Sequence, residues 1–156
     1  MSNQSKKPAQ KKLKAISIRE PWAWAILHAG KDIENRSWRT HFRGVVVIHA
    51  ASGMTKAEYA WGAKIIMKIT GLEPPPWPMA ETRGCIVGLV NIVDCVEKSK
   101  SKWFGGDYGF VLNNPRSLAK PIPCAGALGF WDVPVGVAKK IQASVKPEKS
   151  TRTRSS

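Results

Sequence analysis

Lys31, Glu34 and Arg36 place an ammonium, a carboxylate and a guanidinium within six residues, directly after Gly30. A polar run, Ser37-Trp38-Arg39-Thr40-His41-Phe42-Arg43-Gly44, follows at once. In an extended segment side chains alternate faces, so Glu34 and Arg36 share one face and are natural partners for a charge-assisted pair. Lys31 has the opposite parity, but a glycine stop just before it lets the chain turn and swing its amine toward Glu34. Held between carboxylates, Lys31 keeps its proton and acts as an anchor; buried away from them, it gives up its proton readily and can act as a base. The residues alone leave both states open. Arg39 and Arg43 suit phosphates, as does Lys31. Trp38, with Trp24 and Trp103 elsewhere, offers a flat face on which an unpaired base can stack. His49 is either a second candidate base or a structural histidine with its ring nitrogens satisfied. Arg36 or Arg39 is placed to steady a charged transition state if the site is catalytic.

The chain has 156 residues and a formal charge of +14, unevenly spread. Residues 1–14 carry five lysines and no acid, residues 136–156 a net +5, and the middle only +4. Such tails attract polyanions without reading sequence. Three cysteines, Cys85, Cys95 and Cys124, read as reduced thiols: the first two lie ten residues apart in one extended segment, too far apart for a bridge. No cysteine–histidine spacing suits a metal, and no cofactor is implied. No apolar run approaches the roughly 18 residues of a membrane span. The first twelve residues lack the apolar stretch of a secretory signal. The expected location is the cytoplasm, or the nucleus in a eukaryote, without membrane association.

The elements that must position these groups follow from local pattern. Ala15–Arg19 alternates as a strand. Pro21 opens a helix in which Trp22, Ala25, Ile26 and Ala29 recur at helical spacing, and Gly30 stops it. Lys31–Arg36 reads as a short strand and Val45–Ala50 as a buried one. Thr55 and Glu58 form a capping box for a helix to about Thr70. Residues 71–84, with Pro74, Pro75, Pro76 and Pro78, form a long loop that can stiffen itself or dock a protein partner in extended form. Cys85–Glu97 is a long strand with a bulge near Gly88. Lys98–Asp107 is a polar loop. Strands at Tyr108–Leu112, Leu118–Ile122 and Gly129–Val133 complete the count. Residues 1–12 and 136–156 are expected to be basic tails, the second after a short helical turn at Val137–Ile141, around one domain at 13–135. The expected class is α+β: a small β-barrel of about six strands with two or more flanking helices. Among the seven tryptophans, Trp22, Trp61 and Trp131 are expected as core anchors and Trp77 as a loop cap, with Trp38 open between core and stacking roles.

The spacing Gly-x-Lys-x-x-Glu-x-Arg, filled by Gly30, Lys31, Glu34 and Arg36, resembles the signature of ASCH domains. Before it, Ser17-Ile18-Arg19-Glu20-Pro21-Trp22-Ala23 looks like the family's opening strand and Pro-Trp helix. Glu34-Asn35-Arg36-Ser37-Trp38, Arg43-Gly44 and the Gly84–Gly88 strand are similar to the branch related to the ASC-1 coactivator. The resemblance covers roughly Leu13–Pro134 and implies a PUA-like barrel with a cleft floored by the motif and a basic face for RNA or DNA. It makes Lys31, Arg36, Ser37, Trp38, Arg39 and Arg43 the expected nucleic-acid contacts, around a cleft for an unstacked or modified base or nucleoside. The alternative it implies is a hydrolase, a ribonuclease or an acetylcytidine amidohydrolase, using Lys31 and Glu34. Amidohydrolase relatives carry a threonine nucleophile where this chain has Glu34, which departs from that route.

Overall fold

The computed structural model describes residues 12–145. Six strands and three helices follow in the order β1 (Lys14–Arg19), α1 (Trp22–His28), β2 (Ile33–Arg36), β3 (Gly44–Ala51), α2 (Lys56–Thr70), β4 (Cys85–Val96), β5 (Tyr108–Pro123), β6 (Phe130–Asp132), α3 (Val135–Ser144). The strands form one sheet ordered β2-β5-β4-β3-β1-β6, parallel only between β1 and β3. The expected barrel takes the form of a curled half-barrel, with β2 and β6 as its two edges.

Aromatic packing spans the space between those edges. Trp38, just past β2, stands edge-on to Phe110 of β5 and to Phe130 of β6, with centroids 5.2 and 5.5 Å away. Phe42 stacks on Phe130 at 5.0 Å. Such pairs add roughly 0.5–1.5 kcal/mol each beyond their burial.

Both faces of the sheet are covered, which explains the apolar run in β3. Val46, Ile48 and Ala50 face one core with Ile16, Ile18, Val90, Phe110 and the α1 residues Ala23 and Ile26. Val47 points the other way, into a second core with Ala15, Ile86, Leu89, Leu118, Ile122 and Ile141. The alternation is that of any strand; only the covering of both sides is tertiary.

Several expectations are met with refinements. The Thr55 hydroxyl accepts the Glu58 N–H at 3.1 Å, but Glu58 leaves the reciprocal half of the capping box for Arg19, 2.7 Å away. The bulge lies at Val87: the β3 register runs Ile48↔Gly88 and then His49↔Ile86. Gly88 is required there, because a Cβ would sit 2.5 Å from the Arg116 carbonyl oxygen and 2.7 Å from Leu27. The two strands expected at 108–112 and 118–122 are one, β5. Asn114 adopts φ +52° and the ladder with β4 shifts between Leu89 and Asn91. That irregularity accommodates Pro115, whose missing N–H would otherwise interrupt the pairing.

The largest revision concerns residues 136–145. In place of a tail with one turn there is a ten-residue helix, α3, whose Ile141 is 1% exposed in the second core. Val137, Ala138 and Val145 pack beside it. The expected tails at 1–11 and 146–156 lie outside the described residues. No helix among the described residues is long and apolar enough to cross a membrane. All three cysteines are free and half-buried.

Candidate nucleic-acid interface

The end of α1 sets the floor of the site. Gly30 takes φ +73°, where an L side chain is disfavoured, and the Lys31 N–H returns to the Ala25 carbonyl at 3.1 Å. That turn buries the Lys31 side chain to 3% exposure and aims its amine at Glu34, Nζ to Oε1 3.3 Å. Nζ also donates to the Ile33 carbonyl. Glu34, on β2, is paired through its other oxygen to Arg36 Nη2 at 3.1 Å, and that same nitrogen donates to the Ser17 carbonyl of β1 at 2.9 Å. The chain Lys31–Glu34–Arg36 is thus a cation–anion–cation line, buried at Lys31 and Glu34 and half-buried at Arg36, as parity and the glycine stop allow. Burial pushes the Lys31 ammonium below its ordinary value, against the pull of the Glu34 carboxylate, which acts to hold the proton on. Its Nζ lies 5.8 Å from the Trp22 ring centroid, within cation–π range.

These three side chains floor a cleft of about 910 Å³, a size typical of small-molecule sites. Its walls come from four segments remote in sequence. Trp22 comes from α1, Trp61, Ile65 and Ile69 from α2, Trp103 and Phe104 from the β4–β5 loop, and Gly126–Gly129 from the β5–β6 loop. Trp61 stands edge-on to Trp22 at 6.1 Å and is 62% exposed, so it is a cleft wall and not the core anchor expected. Leu128, at 98% exposure, sits at the rim.

His49 lies under this cleft with both nitrogens engaged. Nε2 faces the Cys124 carbonyl at 2.7 Å and must carry the proton, so Nδ1 accepts from the Ser17 hydroxyl at 3.0 Å. The Ser17 oxygen in turn accepts from the Trp131 indole at 3.2 Å. Burial pushes the His49 pKa down, with its backbone hydrogen bonds opposing. His49 is therefore a neutral, fully bonded structural histidine. A second buried acid, Glu20, is held by the Trp24 N–H and the Thr82 hydroxyl, both at 2.8 Å, and burial raises its pKa.

The other residues expected at the site lie elsewhere. Trp38 is spent on the aromatic packing between the sheet edges. Arg39 pairs with Glu97 at 3.0 Å and lies over the Tyr108 ring, while Arg43 faces Asp94 at 3.7 Å. Arg39, Arg43 and Ser37 are exposed and do not line the cleft. Trp24 faces a separate small hollow beside Glu20. The proline loop is folded onto α2: the Tyr59 hydroxyl donates to the Pro75 carbonyl, and Trp77 packs on Tyr59 and under Arg83. Burial, with the Glu20 charge, pushes the Tyr59 hydroxyl up to about 12. Trp61, Phe104, Lys102 and the 126–129 loop are the cleft residues that sequence reasoning missed. The Lys98-x-Lys100-x-Lys102-Trp103-Phe104 run, basic and aromatic together, carried a signal.

The comparisons agree with this geometry. The family model of the ASCH domain matches residues 16–121. The chain is similar to activating signal cointegrator 1 of Homo sapiens and of Mus musculus, each 23% identical over 124 residues. Those matches cover 74% of this chain but 21% of the relatives, so the chain spans about a fifth of their length. Among solved structures, the crystal structure of ASCH from Zymomonas mobilis matches with a TM-score of 0.50 at 13% identity, covering 85% of this chain and 94% of that one. That likeness concerns the fold, an α+β half-barrel with flanking helices. With the family model matching over more than half its length, and the motif residues gathered at one cleft, the chain belongs to the ASCH domain family.

Proposed function

We propose that the chain binds single-stranded nucleic acid, RNA or DNA, by taking one unpaired base into the cleft. The observation that carries this reading is the pairing of floor and walls. A nucleobase has two apolar faces and an edge of donors and acceptors. The cleft offers indole and phenyl walls, with the Lys31–Glu34–Arg36 line beneath them. Lys31 and Arg36 keep N–H groups to donate and Glu34 keeps lone pairs to accept. The volume leaves room for a base bearing a modification. Single strands are favoured because their bases enter without the cost of breaking a pair. Arg39 and Arg43 reach phosphates only from the periphery, sharing their charge with Glu97 and Asp94. The basic segments at both ends add affinity that falls with salt.

Trp61 gives the cleanest test, since it is exposed and its loss leaves the cores intact. Trp61→Ala is expected to weaken single-strand binding by about 1–3 kcal/mol, roughly 5–150-fold, in fluorescence anisotropy. Duplex DNA of the same length should lose much less. An equal loss on both probes, or none on either, overturns the reading.

A hydrolytic second reading rests on Lys31 alone, an amine in a cleft whose proton burial loosens. As a ribonuclease the protein would shorten the probe on a gel, an effect abolished in Lys31→Met, and intact probe removes that activity.

A further inference from the structure

The loop between β4 and β5 forms one wall of the cleft, and it carries Lys98, Lys100 and Lys102 alternating with Ser99 and Ser101. The serines are spent on the loop's own structure. The Ser99 hydroxyl accepts the Ser101 N–H at 3.1 Å, and the Ser101 hydroxyl donates to Asp32 at 2.6 Å and accepts the Trp103 N–H at 3.2 Å. The lysines between them are exposed, and none takes part in an ion pair among the described residues. Of the acids nearby in sequence or contact, Glu97 is occupied by Arg39 and Asp32 by Ser101, while Asp107 at the far end of the loop has no ion pair among the described residues.

The loop is fastened to the motif strand. Asn35 of β2 donates through Nδ2 to the Trp103 carbonyl at 2.8 Å and accepts the Gly105 N–H at 3.0 Å. Gly106 lies so close beneath that a Cβ would sit 2.9 Å from the Asn35 Cβ. The side chain between Glu34 and Arg36 therefore holds the aromatic wall, and Lys102 lines the cleft itself. A base stacked against Trp103 or Phe104 would have its flanking phosphates leave along this loop.

We infer that Lys98, Lys100 and Lys102 form a phosphate rail: the backbone of a bound single strand runs along the β4–β5 loop, which Asn35 fastens at the cleft mouth. This rests on the cleft reading above. Free cations beside a stacking wall are the combination by which single-strand binders track a backbone.

The test uses the full chain and two labelled probes, oligothymidylate and oligouridylate, in anisotropy titrations between about 50 and 200 mM salt. Replacing Lys98, Lys100 and Lys102 together with glutamine should make the slope of log affinity against log salt shallower by about 2, at about 0.7 per phosphate contact. A matched variant with glutamine at Lys120, Lys139 and Lys140 removes the same charge from exposed positions that do not line the cleft. It should keep the parent slope. Equal flattening in both variants means net charge alone attracts the strand and overturns the rail. An unchanged slope in the first variant also overturns it, while a Trp61→Ala loss on single strands leaves the cleft reading standing. Failure of the unaltered protein to bind either probe overturns both. A flattened slope with one probe only keeps the rail and shows which of the two strands it carries.

Discussion

Glu34→Ala is expected to destabilise the protein by about 3–5 kcal/mol, because it removes one partner of a buried ion pair and leaves the other charge uncompensated. The Lys31 side chain is 3% exposed and that of Glu34 11%, so water replaces little of what is lost. Lys31 would keep the Ile33 carbonyl and the Trp22 ring face, and Arg36 the Ser17 carbonyl. The pH dependence has a definite sign. The folded pKa of Lys31 lies below the ordinary lysine value, so between the two the unfolded chain holds more protons, and stability rises with pH through that window. Glu34 acts to raise the Lys31 pKa. Without it the folded pKa falls further, and the window widens toward neutral pH. Urea unfolding across a pH series should show Glu34→Ala weaker than the parent at neutral pH and recovering more steeply as pH rises. A loss under about 1 kcal/mol with an unchanged pH profile would mean the line of charges is solvated.

Ile141→Ala should cost about 2–5 kcal/mol, the usual range for an isoleucine removed from a packed core. Ile141 is 1% exposed, against Val47, Ile86, Leu118 and Ile122 of the second core. Val135, on the same helix but 74% exposed, should tolerate alanine with little effect. The comparison separates burial from helix formation, since both changes favour the helix itself. If the two substitutions cost the same in urea or thermal unfolding, α3 does not contribute its core face in solution.

What the sequence made legible was local. Gly30, the parity of Glu34 and Arg36, and the Thr55 cap each act within a few residues, and the motif cluster formed as those rules require. The roles of the tryptophans were not legible in the same way. Trp38 lies in a polar run yet packs against Phe130 from the opposite sheet edge, while Trp61 lies in an amphipathic helix yet faces the cleft. Neither follows without knowing that the half-barrel brings β6 near β2, or that α2 lies over the cleft. Arg39 and Arg43 read as free cations because Glu97 and Asp94, some fifty residues away on and just past β4, are brought to them only by the fold. The break expected between strands at 108–112 and 118–122 is bridged because a register shift lets one strand run through Asn114-Pro115. Val137–Ile141 reads as a turn in a tail because its apolar face is short, and only the bare side of β5 explains why it docks.

The proposed cleft, walled by particular tryptophans, is where the nucleic acid is expected to enter. The seven indole N–H signals in a proton–nitrogen correlation spectrum report on it individually. Titration with a short single-stranded oligonucleotide should move the signals of Trp22, Trp61 and Trp103 and leave Trp24, Trp38, Trp77 and Trp131 in place. Shifts confined to backbone signals of the basic ends, with all the indoles unmoved, would contradict the account.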